Sequence, residues 1–188
     1  LVDSKARRWL ANLSLVAINA AAARFLFPLL PVSLALLFAD KGWGLLNLVP
    51  LPGWLKIVAA LVFLDLIIYL QHVLFHYLPL LWRLHRMHHT DLDIDVTTGN
   101  RFHPLEIMIS LLIKLAAVAA IGAPAIAVVL FEIILNAAAQ FNHGNIKIPL
   151  AIDRWLRLLL VTPDMHRVHH SVIVRETNSN FGFNIPLW

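Results

Sequence analysis

Apolar residues run along this chain in four long blocks separated by short polar stretches. The first block spans about Leu13 to Phe38 and contains Pro28 and Pro31; the second spans about Trp54 to Leu81. The third runs from about Leu105 to Ile121 and the fourth from about Pro124 to Gln140. None alternates with the period of a strand, and a helix needs about 20 apolar residues to cross the hydrocarbon of a bilayer. The pattern predicts an all-α, integral membrane fold. The two shorter blocks are joined by Gly122-Ala123-Pro124, which reads as a tight turn. They form a helical hairpin that spans the bilayer or dips in and returns. A further stretch, Ile152 to Val161, reads as an interfacial helix.

Composition strengthens the membrane reading. Of 188 residues, 60% are hydrophobic and 14% charged, and the mean hydropathy is +0.75. Soluble domains carry about 25% charge. The length suits a single domain over 1–188, and the opening run Leu1 to Arg8 reads like the interior of a longer protein, trimmed at both ends. There is no cysteine, which excludes thiolate metal sites, iron–sulfur clusters and disulfides. The net charge of +4 is dispersed, with no basic stripe of the kind that binds nucleic acid.

Lysine and arginine predict the topology. Lys5, Arg7 and Arg8 precede the first block, Arg83 and Arg86 follow the second, and Lys147, Arg154 and Arg157 follow the fourth, whereas Lys41 stands almost alone on the other side. The positive-inside bias then puts both termini and the 82–104 loop in the cytoplasm of a multi-pass protein, in a bacterial inner membrane or the endoplasmic reticulum. Charges fall deep inside the blocks at Arg24, Asp65, Lys114 and Glu132. Lys114 and Glu132 lie at matching depths of roughly 12–14 Å and are expected to pair; Arg24 with Asp65 is a weaker candidate pair of the same kind.

The candidate chemistry lies in ten histidines. They form the groups His72-x-x-x-His76, His85-x-x-His88-His89, His103, His143 and His166-x-x-His169-His170. By the charge-based topology all fall on one side of the membrane. Spacings of three and four place imidazoles on one helix face. Adjacent histidines point about 100° apart, so one can serve one ion and its neighbour a second. A lone histidine is ordinarily a surface or core residue, and histidines near arginine can form a pH-sensing or lipid-binding rim. The string His-Arg-x-His-His, however, occurs twice, at 85–89 and 166–170. One tetrahedral zinc uses four ligands. Ten imidazoles without a thiolate suit two ions of higher coordination, and iron is preferred because such a pair suits activation of dioxygen. Zinc is possible in the protein as isolated. Acceptors that would orient the rings are Asp164, Asn142, Asn100 and Glu106, with Asp91, Asp93, Asp95 and Asp153 as further candidates.

Several pieces of the chain resemble one superfamily: QHVLFH (71–76), HRMHH (85–89), TGNRFHPLE (98–106), FNHGN (141–145), TPDMHRVHH (162–170) and NSNFG (178–182). In that order they are similar to the fatty acid hydroxylase and sterol desaturase superfamily of membrane di-iron enzymes. The resemblance implies about four membrane-associated helices under a cytoplasmic, histidine-bearing cap. It implies O2-dependent hydroxylation or desaturation of an unactivated C–H bond in a sterol or fatty acyl chain. By the same resemblance His72, His76, His85, His88, His89, His166, His169 and His170 are the core ligands, with His103 and His143 additional, and no catalytic group beyond the ligands is expected. Electrons would come from an external donor, a small electron-transfer protein. The competing class is a non-enzymatic membrane protein that binds or transports metal or haem. Haem ligation would place single histidines deep on facing helices, and transport would place ligands near the midplane; only His72 approaches that depth.

Overall fold

The computed structural model describes residues 4–27 and 30–188. Among these the secondary structure is helical, with no strand. Four helical stretches are long and apolar enough to cross a membrane. The first is the N-terminal stretch that holds α1 (Lys5–Leu26) and α2 (Pro31–Lys41); after the short α3 (Leu45–Leu48) come α4 (Gly53–Tyr77) and, later, α6 (Pro104–Ile121) and α7 (Ala125–Asn142). Shorter elements close one end: α5 (Pro79–His89), a 3₁₀ turn (Val96–Asn100), α8 (Leu150–Leu156), α9 (Pro163–His169) and α10 (Val174–Thr177).

Two of the four apolar blocks differ from expectation, both at prolines. The first block is two helices. Phe27 is extended, Pro31 opens α2 at its first turn, and Pro28 lies outside the described residues. The second block ends at Tyr77, because Leu78 precedes Pro79 and is extended (φ −90°, ψ 117°). A residue before proline is pushed out of the α region. Pro79 then starts α5 at the position where its missing N–H costs nothing, and α5 folds back against α4. The interfacial helix ends early, at Leu156 rather than Val161.

The core lies between α2, α4, α6 and α7. Its buried members include Ala35, Ala60, Ala117 and Ala127 beside Leu64, Val118, Val128 and Phe131. In lipid, helices associate through close packing and not through expulsion of water, and small residues let backbones approach. Outward positions such as Leu10, Phe25, Leu36 and Ile133 are exposed, as a lipid-facing surface requires. At the end away from the histidines, Gly122 (φ +66°) turns the α6–α7 hairpin, and Gly44 (φ +89°) sits so close that a Cβ there would lie 2.4 Å from the Gly122 Cα.

The charged residues hold the assembly at defined points. Lys114 Nζ meets Glu132 Oε1 at 2.7 Å, the pairing expected across α6 and α7. Asp65 does not pair with Arg24. Its oxygens accept from Asn184 Nδ2 at 2.7 Å and Trp188 Nε1 at 2.6 Å, which straps the C-terminal segment along α4, while Arg24 is exposed on α1. Asp91, Asp93 and Asp95 orient no imidazole. Arg8 donates to the carboxylate of Asp91 (2.7 Å) and to the Asp93 carbonyl, and Trp9 Nε1 donates to Asp95. These contacts tie α1 to the loop before α6.

Candidate metal centre

Every histidine lies near one end of the bundle. His72 and His76 occupy the last turns of α4, one helical turn apart. The proline-set reversal brings His85, His88 and His89 of α5 back over them. His143 caps the C-terminus of α7, and α9 carries His166 and His169, with His170 at its end.

Nine of the ten converge in two groups, within each of which the ligand atoms lie within 4.8 Å of one another. The first is His72, His76, His85, His89 and His169; the second is His88, His143, His166 and His170. The adjacent pairs divide between them. The groups touch, with the His89 and His170 rings stacked at 4.3 Å.

The hydrogen bonds at the far side of the rings set the tautomers. His72 Nδ1–H donates to the Phe181 carbonyl (2.8 Å), His169 Nδ1–H to the Ser179 carbonyl (2.8 Å), His85 Nδ1–H to Glu106 Oε1 (2.6 Å) and His143 Nδ1–H to the Ala139 carbonyl (2.7 Å). His76 Nδ1–H donates to Asn178 Oδ1 at 3.2 Å. With the proton on Nδ1, each Nε2 presents a lone pair. Yet His72 Nε2 stands 3.1 Å from both His85 Nε2 and His169 Nε2, and His76 Nε2 is buried without a partner. In the second group His143 Nε2 lies 3.1 Å from His88 Nε2 and 2.9 Å from His166 Nε2.

Converging lone pairs with no proton between them repel unless a cation sits there. Two imidazoles bound at about 2.1 Å and at right angles have nitrogens about 3.0 Å apart. The observed spacings of 2.9–3.2 Å match that separation. At His72, His85 and His169, whose Nδ1 protons are committed elsewhere, no proton is left to lie between the Nε2 atoms, and the two groups fit a pair of metal ions. The electrostatics agree. Burial, with the neighbouring imidazoles, holds His85, His88, His89, His166 and His170 below the usual imidazole range. Burial pushes His143 down to about 4, and His169, with His76 beside it, to about 3. Neutral rings are ready ligands that release no proton on binding a metal.

His103 joins neither group. It is the N-cap of α6, and its Nδ1 accepts from the Leu105 backbone N–H at 3.1 Å. Of the four expected orienting residues, only Glu106 hydrogen-bonds an imidazole. Asp164 pairs with Arg167 three residues on, Asn142 donates to the Phe183 carbonyl, and Asn100 lines a cavity. The acceptors that sequence reading missed are Asn178 and the carbonyls of Ala139, Ser179 and Phe181. NSNFG contains three of them, but backbone carbonyls leave no mark in residue identity. A cavity of about 530 Å³ between α1, α4, α6 and α7 reaches His72 and His85. A second, of about 380 Å³, reaches His76 and His89 beside Trp82 and Arg86.

The described residues thus form an all-helical bundle with four spans long and apolar enough to cross a membrane and two histidine clusters able to hold metal ions. Residues 57–188 match the family model described as fatty acid hydroxylase, and the chain belongs to the fatty acid hydroxylase family. Among curated proteins it is similar to the ornithine lipid hydroxylase OlsE of Rhizobium tropici, at 28% identity over 137 residues, covering 73% of this chain. The aligned region is 40% of that protein's length. No solved structure shows a significant match.

Proposed function

We propose that this chain is the metal-bearing region of a di-iron oxidoreductase that hydroxylates an unactivated C–H bond of a membrane lipid. The observation that carries the reading is the meeting of His72, His85 and His169 through unprotonated Nε2 atoms whose Nδ1 protons are all committed elsewhere. His72, His76, His85, His89 and His169 would hold one ion, and His88, His143, His166 and His170 the other; His103 is left to cap α6. Iron bound there would supply activation of dioxygen, with the balance C–H + O2 + two electrons + two protons giving C–OH and water. The electrons come from an external one-electron carrier protein.

The chain's own groups do the rest. Glu106 and the carbonyls of Ser179, Phe181 and Ala139 orient the rings and hold their protons on Nδ1. Phe75, Phe102, Phe181 and Phe183 pack against the imidazoles of the first group and hold their planes. The cavity beside His72 and His85 admits the lipid from the bilayer. Desaturation, a second hydrogen removal at the same site, is the neighbouring outcome. The distribution of Lys and Arg along the sequence supports a cytoplasmic histidine end. The name of the Rhizobium relative, an ornithine lipid hydroxylase, supports a lipid substrate and favours an acylated lipid over a sterol.

The test is iron analysis with Mössbauer spectroscopy on protein purified anaerobically, together with lipid profiling of cells that express it. About two irons per chain and a lipid product heavier by one oxygen are expected. Fewer than one tightly bound metal ion per chain sinks the reading.

A further inference from the structure

The cavity beside the first histidine group is more polar than passage of a hydrocarbon chain requires. Asn19 of α1, 8% exposed, donates from Nδ2 to the Phe102 carbonyl at 3.1 Å, which leaves its Oδ1 buried and unmet. Gln71 of α4 donates to Ser110 Oγ at 3.0 Å and has its Oε1 buried and unmet; turned round, the amide would leave its amino group over instead. Glu106 gives one oxygen to His85, and its Oε2 has no partner among the described residues. All three line this one cavity. Glu106, Ser110 and Lys114 follow at four-residue spacing on α6, so a polar stripe runs from the metal centre to the Lys114–Glu132 pair, which also lines the cavity. Buried acceptors without donors are costly, and a site built this way takes a ligand that brings the donors.

We propose, resting on the lipid hydroxylase reading above, that this cavity seats the head group of the lipid and not its tail, and selects head groups that carry N–H or O–H donors. Asn19 Oδ1 and the free end of Gln71 take those donors. Lys114 and Glu132, one of each sign, meet a head group that carries both charges. Because the cavity ends at His72 and His85, the carbon offered to the metal lies in or next to the head group.

The probes are single-chain alkyl phosphate diesters with ethanolamine, glycerol or choline head groups, which have no backbone hydroxyl, bound to the full iron-loaded chain in detergent. Ethanolamine and choline share their charges, but only ethanolamine has N–H donors; glycerol supplies O–H donors. Ethanolamine, glycerol or both should bind about fivefold tighter than choline, the ratio of one hydrogen bond, and which of the two does so tells whether N–H or O–H is read. Asn19→Leu and Gln71→Leu should each reduce that preference to within about twofold. Gln71 bonds only Ser110, so its variant carries the test if loss of Asn19 loosens α1. Equal binding of all three head groups by the unaltered protein overturns the proposal. So does tandem mass spectrometry that puts the new hydroxyl on an acyl fragment, and in that case the hydroxylase reading stands. Donor preference without any oxygenated product has the opposite meaning: the head-group site holds and the hydroxylase reading fails.

Discussion

Replacing Glu106 by Gln changes one atom's charge at the point where the protein grips the metal centre. Glu106 is 5% exposed, and its Oε1 accepts from His85 Nδ1 at 2.6 Å. A hydrogen bond to a charged group is worth about 1.5–3 kcal/mol and one between neutral groups about 0.5–1.5. The Gln amide oxygen still accepts the proton, so the expected loss is about 1–1.5 kcal/mol, roughly tenfold in affinity for the ion in the first group. Glu106→Leu removes the acceptor and leaves His85 Nδ1–H buried and unmet, for a total loss near 100-fold, the upper end of what such outer partners contribute. The assay is competitive titration of anaerobic ferrous protein with a chelator of known affinity, resolving two binding steps. One step should weaken in the order Glu, Gln, Leu, and the other should shift less. If both steps are unchanged in Glu106→Leu, the assignment of Glu106 as the group that holds His85 for ligation is wrong.

Other outcomes follow from the same geometry. His166→Ala should reduce bound iron from two per chain to about one, with the first group still occupied, as read by metal analysis. The metal-free protein should lose stability on acidification: the unfolded chain takes up protons below about pH 6.5, whereas His143 resists to about 4 and His169 to about 3. That stability is complete above pH 6.5 and fades down to those values, so the melting temperature should fall between pH 7 and pH 4.5; a rise would contradict the burial argument. Asn184→Leu strips a donor from Asp65, which is 4% exposed, and should destabilise by about 1.5–3 kcal/mol in thermal melts. Gly44→Ala, with its Cβ forced to 2.4 Å from Gly122, should cost about 1–3 kcal/mol and leave iron affinity unchanged.

The fold was legible where one strong periodic signal acted alone. α6 and α7 lie close to where their apolar runs end, and the Gly122 turn and the Lys114–Glu132 pair are in their expected places. The breaks at Phe27 and Leu78 are local proline effects that an apolar count passes over, although Pro28, Pro31 and Pro79 were in view. The gathering of nine histidines into two groups was legible from their spacing along the chain. The exclusion of His103 was not, because a residue before proline at a helix start serves equally as cap or ligand in sequence. Asp164 illustrates the same limit. Its short range to His166 suggested a partner, but Arg167, on the same face of α9, takes it. The partners of His72 and His169 are carbonyls at residues 181 and 179, which lie 109 and 10 positions away respectively, and no pattern of side chains announces them.

Those two carbonyls also govern when the centre can come into being. His72, His76, His85, His88 and His89 emerge early from the ribosome, and their helices can insert while synthesis continues. His169 and His170 are made much later, and the acceptors that orient the His72 and His169 rings belong to residues 181 and 179. Until then the first five histidines lack both the carbonyl that orients His72 and the His169 Nε2 that stands 3.1 Å from it. On the proposed function, metal capture waits until residues 179 and 181 are made, and a factor that delivers iron meets the protein only after that point.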